Sequence, residues 1–111
     1  MLHLIIYTDL MPDRFSGYTL GPMVLIRPSK RHDVGLLQHE LMHVKQFWRT
    51  WGLFGIPYLL SRTRRFEYEV EAYREQLKYS PGREAVFARF LARNYDLDMT
   101  ESQALAALTR E

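Results

Sequence analysis

The chain opens on a short apolar run, Leu2–Thr8, closed by Asp9 and Pro12, and the run predicts a strand. Ser16-Gly17 and Gly21-Pro22 read as turns. Between Pro22 and Pro28, Met23–Arg27 reads as a second short strand. The flanking prolines favour an edge position for it, where a missing N–H does no harm. The period then changes. Behind Asp33, a good N-cap, Leu36, Leu37, Leu41, Val44, Phe47, Trp48 and Trp51 recur at helical spacing, and Gly52 stands at the C′ position. This predicts a first helix over 33–51. Trp51–Leu60 is apolar but interrupted by Gly52, Gly55 and Pro57. It reads as a buried connection between helices, with a graze of a membrane surface as the weaker reading. Phe66, Val70, Tyr73 and Leu77 define the buried stripe of a second helix over 64–79, stopped by Pro81-Gly82. Ser80 with Pro81 at N1 predicts a third helix running to Tyr95. Thr100 with Gln103 is a capping-box pattern for a last helix, Glu101–Thr109. The sum is an α+β domain, with a small sheet in 1–30, helices over 33–51 and 64–79, and C-terminal helices in 80–111.

Composition fits one ordinary globular domain of 111 residues, 47% apolar and 25% charged. Cysteine is absent, which removes a disulfide scaffold, a thiolate metal site and a thiol nucleophile together. A net charge of +2 does not by itself imply nucleic-acid binding. Arg62, Arg64 and Arg65 carry no aromatic interleaving, so they read as a solvated turn rather than a base-stacking surface. No basic segment precedes the N-terminal apolar run, and no apolar stretch approaches the roughly 20 residues of a membrane span. A cytoplasmic domain without stable membrane insertion is the expectation.

The chemistry lies on the first helix. His39-Glu40-Leu41-Met42-His43 is an H-E-x-x-H. Histidines at i and i+4 project from one face one turn apart, which suits two imidazole nitrogens on a single tetrahedral Zn2+. The glutamate between them is placed to polarise a metal-bound water and carry its proton to a leaving amine. On the helical wheel His39, His43, Gln46 and Thr50 form a strip along one border of the apolar arc, and Glu40 falls inside the arc beside Leu36 and Phe47. A carboxylate there is costly in a plain core, and a metal cleft explains it. With no cysteine and no third histidine at metzincin-like spacing, a carboxylate is the natural third ligand. Glu67, Glu69 and Glu71 form the next acidic cluster, while His3 and His32 require the strand or the pre-helix loop to fold over the site.

His39–His43 followed by Gln46, with Glu69-Val70-Glu71-Ala72 downstream, resembles the gluzincin zinc metallopeptidases. The length resembles their smallest soluble members, the minigluzincins. The resemblance covers roughly residues 2 to 79. It implies a small sheet above a cleft, an edge strand that holds extended substrate, His39, His43 and Glu69 as zinc ligands, and Glu40 as general base. The chain departs from many larger relatives in carrying Tyr73, not Asp or Asn, four residues after Glu69, so the group that orients a ligand histidine is open. An oxyanion stabiliser is expected for peptide hydrolysis, with Tyr58, Tyr68 and Tyr73 all open for that role. The wheel of the second helix selects Glu69 by a separate route. Glu69 lies at the border of the apolar stripe with Ala72 and Gln76. Glu67, Glu71, Arg74, Glu75 and Lys78 cluster away from it, Glu71 within reach of Arg74 and Glu75 of Lys78.

The leading expectation is a zinc metallopeptidase acting on peptides or unfolded protein, active or latent. The alternative is a non-catalytic or regulatory zinc-binding module whose metal is structural or whose cleft is blocked by the tail from Asp96 to Glu111. The last helix has only Ala104, Leu105, Ala107 and Leu108 to bury, so it is marginal unless docked on the body.

Overall fold

The computed structural model describes residues 2–53 and 55–110. Strands β1 (Leu4–Tyr7), β2 (Gly17–Leu20) and β3 (Met23–Ile26) precede helices α1 (Val34–Arg49), α2 (Gly55–Leu60), α3 (Arg62–Tyr79), α4 (Glu84–Asn94) and α5 (Glu101–Thr109). The architecture is α+β, as the pattern predicts. No described helix is long and apolar enough to cross a membrane.

The sheet departs from expectation in two ways. β3 is its middle strand, paired with β1 in parallel and with β2 antiparallel. The prolines do not enforce an edge, because Pro22 and Pro28 lie just beyond the strand's ends and withdraw no N–H from its ladder. Pro22 even serves the sheet, its carbonyl accepting from the N–H of Leu4. The edge strand β2 falls where only turns were expected. Gly21, at φ +59°, occupies the first position of the two-residue β2–β3 hairpin, where the primed turns require a positive φ.

The helices follow their caps. Asp33 accepts from the N–H of Leu36 and starts α1 as expected. α1 stops at Arg49 rather than Trp51. The N–H of Trp51 returns to the Trp48 carbonyl and that of Gly52 to the Phe47 carbonyl, which places Trp51, at φ +57°, in the left-handed position expected of Gly52. α3 begins at Arg62 because Ser61 accepts from the N–H of Arg64. α4 does not begin behind Ser80. Ser80 ends α3, its N–H bonded to the Gln76 carbonyl, and Gly82 at φ +87° turns the chain before Arg83 leads into α4. α5 carries the expected capping box between Thr100 and Gln103.

Along the connection from Trp51 to Leu60, which contains the short helix α2 and of which Phe54 lies outside the described residues, Trp51, Leu53, Ile56, Leu59 and Leu60 are exposed rather than buried. Apolar composition is a poor guide there because α2 turns Tyr58, rather than its aliphatic residues, towards the body.

Two apolar clusters frame the site. Val24 and Ile26 of β3 pack on Leu36 and Val44 of α1. Tyr73 of α3 joins Phe87, Ala88 and Leu91 of α4, and Leu97, Ala104 and Leu108 complete that cluster. The last helix is therefore docked, and it builds the core. Between the clusters α1 and α3 approach at small residues. A Cβ on Gly35 would lie 2.5 Å from Ser80 Oγ and 3.2 Å from Gln76 Cγ, and Ala72 is wholly buried. The polar strip of α1 faces α3 at this seam.

Candidate metal centre

His39 and His43 sit one turn apart on α1, and Glu69 comes from α3 to meet both. Glu69 Oε1 lies 3.2 Å from His39 Nε2 and 3.1 Å from His43 Nε2. All three side chains are buried, and their ligand atoms lie within 4.8 Å of one another. Donors on a tetrahedral zinc, with bonds of about 2.0–2.1 Å, are separated by about 3.3 Å. The spacing fits. The donor set, two imidazole nitrogens and one carboxylate, is also the one zinc accepts at sites with an open fourth position.

Without a metal the cluster holds a proton instead. Burial pushes His43 down, but the charge and hydrogen bond of Glu69 outweigh it, and Glu40 and Gln46 add to them, raising its pKa to about 9. Burial pushes Glu69 up, yet the two imidazoles hold its carboxyl well below the ordinary carboxylate range. The sign for stability follows. A histidine whose pKa rises on folding stabilises fully below its unfolded value of about 6.5 and loses that contribution as pH climbs to about 9. Glu69, lowered on folding, contributes above its ordinary value and loses its contribution as pH falls through the folded one. Metal must displace the His43 proton, so zinc affinity should rise by about tenfold per pH unit towards pH 9. Titration calorimetry with zinc across pH 6 to 9 checks this with its proton release, together with a falling Tm of the metal-free protein over the same range. A flat Tm and a flat affinity would refute the shared proton.

Glu40 is buried beside the triad and held by the sheet. Thr19 Oγ1 donates to Glu40 Oε1 at 2.7 Å. Two residues earlier on β2, Gly17 makes room: a Cβ there would lie 3.0 Å from Glu40 Oε2. The edge strand thus provides both the space and the donor. Sequence reasoning missed Thr19 and Gly17 because it did not place β2.

The histidine-orienting group is Gln46. Its Oε1 lies 2.7 Å from His43 Nδ1, while its Nε2 donates to the Tyr68 carbonyl at 3.0 Å and to Glu71 Oε1 at 2.8 Å. With both amide hydrogens committed to acceptors, the amide oxygen must receive the Nδ1 proton, which in a neutral imidazole leaves the Nε2 lone pair facing Glu69. Arg49 anchors the chain of bonds through Glu71 at 2.8 and 3.1 Å. Glu71 therefore does not meet Arg74, which instead donates to the carbonyls of Ala107 and Arg110. Glu75 does pair with Lys78, as expected. His39 is held differently. The Tyr73 ring stands edge-on to its imidazole with centroids 4.3 Å apart, its Nδ1 has no hydrogen-bond partner among the described residues, and the Tyr73 hydroxyl bonds that of Tyr95. Replacing Gln46 with leucine should lower zinc affinity by about 10- to 100-fold, read by competition with a chromophoric chelator. Unchanged affinity would mean that packing alone orients His43.

Of the three tyrosines, Tyr58 is the one that lines the cavity above the triad. Its hydroxyl donates to Glu69 Oε2 at 2.6 Å, and burial, followed by the charge of Glu69, pushes its pKa far up. Neither Tyr68 nor Tyr73 lines the cavity above the triad. His3 and His32 are exposed and take no part in the cluster. The cavity itself has a volume of about 800 Å³, floored by His39, Glu40, His43 and Glu69 and walled by Tyr18, Thr19 and Leu20 of β2 on one side and Tyr58 on another. No described residue of α5 lines it, whereas Asp96, at the start of the tail, does.

No protein-family model matches the chain, and no curated protein or solved structure matches it.

Proposed function

We propose that this chain is a zinc-dependent metallopeptidase of gluzincin type acting on peptides or unfolded protein. One observation carries the reading: three buried zinc-competent donors converge on the floor of an open cavity, with a second carboxyl, that of Glu40, held on the same floor. A structural zinc site is closed by four protein ligands, whereas three facing a cavity suit a catalytic one. Zinc bound there would supply Lewis acidity to a substrate carbonyl and acidify a water. The remaining roles belong to the chain. Glu40 accepts the proton of the attacking water and returns it to the leaving amine, with Thr19 fixing the carboxylate for both transfers. Gln46 holds His43, and Tyr58 holds the second oxygen of Glu69. Among the described residues no strand lies beside one edge of β2, which borders the cavity, so its backbone offers an extended peptide a pairing partner.

The deciding experiment is metal content by mass spectrometry alongside hydrolysis of unfolded casein, with chelation and zinc restoration. Stoichiometric zinc with chelator-sensitive cleavage supports the reading. Zinc without cleavage favours the alternative, a non-catalytic zinc-binding module, and no zinc at all removes both.

A further inference from the structure

The most unusual surface of the molecule lies beside the cavity. Trp51 is 92% exposed, and Leu53, Ile56, Leu59 and Leu60 are exposed with it. These residues project from a turn and the short helix α2, so they form a protruding apolar knob rather than a groove. Gly52, Gly55 and Leu59 belong at once to this knob and to the rim of the cavity. Monomeric soluble proteins rarely expose contiguous large apolar side chains without a partner for them.

The charge around the knob identifies the partner. From Val34 to Phe66 the chain carries five lysines and arginines and a single acidic residue, Glu40, which is buried in the site. Arg62 and Arg64 follow Leu60 closely and are mostly exposed; among the described residues Arg62 has a distant contact to Asp98 and Arg64 a loose one to Glu67. They stand at the N-terminal end of α3, whose first turn holds no acidic residue, while Arg65 beside them is committed to the carbonyls of Tyr58, Leu59 and Asp96. Cations are disfavoured at a helix N-terminus, so this placement is electrostatically poor for the helix in isolation. An anionic surface would relieve it. A symmetric dimer through the same patch would instead bring two copies of this arginine cluster to one rim.

We propose that the knob of Trp51, Leu53, Ile56, Leu59 and Leu60 docks the protein on an anionic lipid surface, with Trp51, Leu59 and Leu60 in the headgroup region and Arg62 and Arg64 on the phosphates. Two weak signals combine, as stable interfacial binding requires: inserted apolar side chains and basic residues at the surface. Tryptophan is the side chain most at home at that boundary. Docked in this way, the rim of the cavity lies against the membrane, and substrate would be met close to the lipid surface. Binding needs no metal, so the inference stands apart from the proposed activity.

The test is sedimentation of the full chain, with and without chelator, with vesicles of phosphatidylcholine plus phosphatidylglycerol and with vesicles of phosphatidylcholine alone. Binding to the mixed vesicles is expected, weakening as salt is added. Trp51→Ser with Leu60→Ser should lower partitioning by about tenfold or more. Arg62→Gln with Arg64→Gln should remove the preference for the anionic lipid while leaving the circular dichroism spectrum unchanged. The idea is overturned if neither vesicle binds, if neither pair of substitutions changes binding, or if the protein is a dimer in solution that the Trp51 and Leu60 substitutions dissociate.

Discussion

Replacing Glu69 with alanine is expected to lower zinc affinity by about a hundredfold or more. Structural zinc in four-ligand peptides binds with roughly 10–16 kcal/mol, so one ligand carries about 3 kcal/mol, which is about two powers of ten. Among the described residues Glu69 is the only carboxylate that meets both Nε2 atoms, and no other acidic side chain joins the metal-competent group. Alanine also removes the anion that holds the His43 proton, and breaking a buried pair on one side costs about 3–5 kcal/mol. Glu69→Gln separates the two effects. The amide keeps an acceptor for Tyr58 and fills the same space while lacking the charge, so it should fold and still bind zinc poorly. Glu67→Ala should leave affinity as it is, since Glu67 is exposed and faces Arg64. Glu71→Ala should show a smaller loss than Glu69→Ala, transmitted through Gln46. A folded Glu69→Gln variant with undiminished zinc affinity would show that the carboxylate is not a ligand.

The parts of the site that lie on long helices are legible in the chain. Periodicity on α1 and α3 sets which residues share a face, and it places His39 and His43 on one border of an apolar arc and Glu69 on another, the borders that meet at the seam. The parts contributed by short elements are not legible. β2 is four residues long, too brief for alternation to show, and with it Thr19 and Gly17 stay hidden behind turn-like residues. Gln46 stands on the correct strip of α1, but one of its partners is the Tyr68 backbone, which side-chain patterns do not reveal. The middle position of β3 escapes the pattern because the proline rule acts on residues inside a strand, and Pro22 and Pro28 stand outside it. Trp51–Leu60 teaches a different lesson. An apolar run reports a preference for leaving water, and it does not say whether the chain's own body provides the cover. Here it does not, since Trp51 and Leu60 face outward.

Glu40→Gln is expected to leave zinc binding intact and to lower any peptide hydrolysis by about 10²- to 10⁴-fold, the usual contribution of a positioned acid–base group. Glu40 is not in the metal-competent group, so its charge is not needed to hold the ion. Its oxygens are fixed elsewhere. Thr19 donates to Oε1, and the glycine surface at position 17 packs against Oε2. Glutamine occupies the same space, and its amide oxygen can still accept from Thr19, so the fold around the site should be undisturbed. What the amide lacks is a basic oxygen to take a proton from water. A Thr19→Val variant probes the same step at one remove: its fold and zinc content should match the original, while kcat falls because the carboxylate loses the donor that positions it. Should Glu40→Gln lose its zinc, the glutamate is a ligand or a structural pair and the assignment of roles is wrong. Should it keep both zinc and full turnover, water activation by Glu40 is not the mechanism.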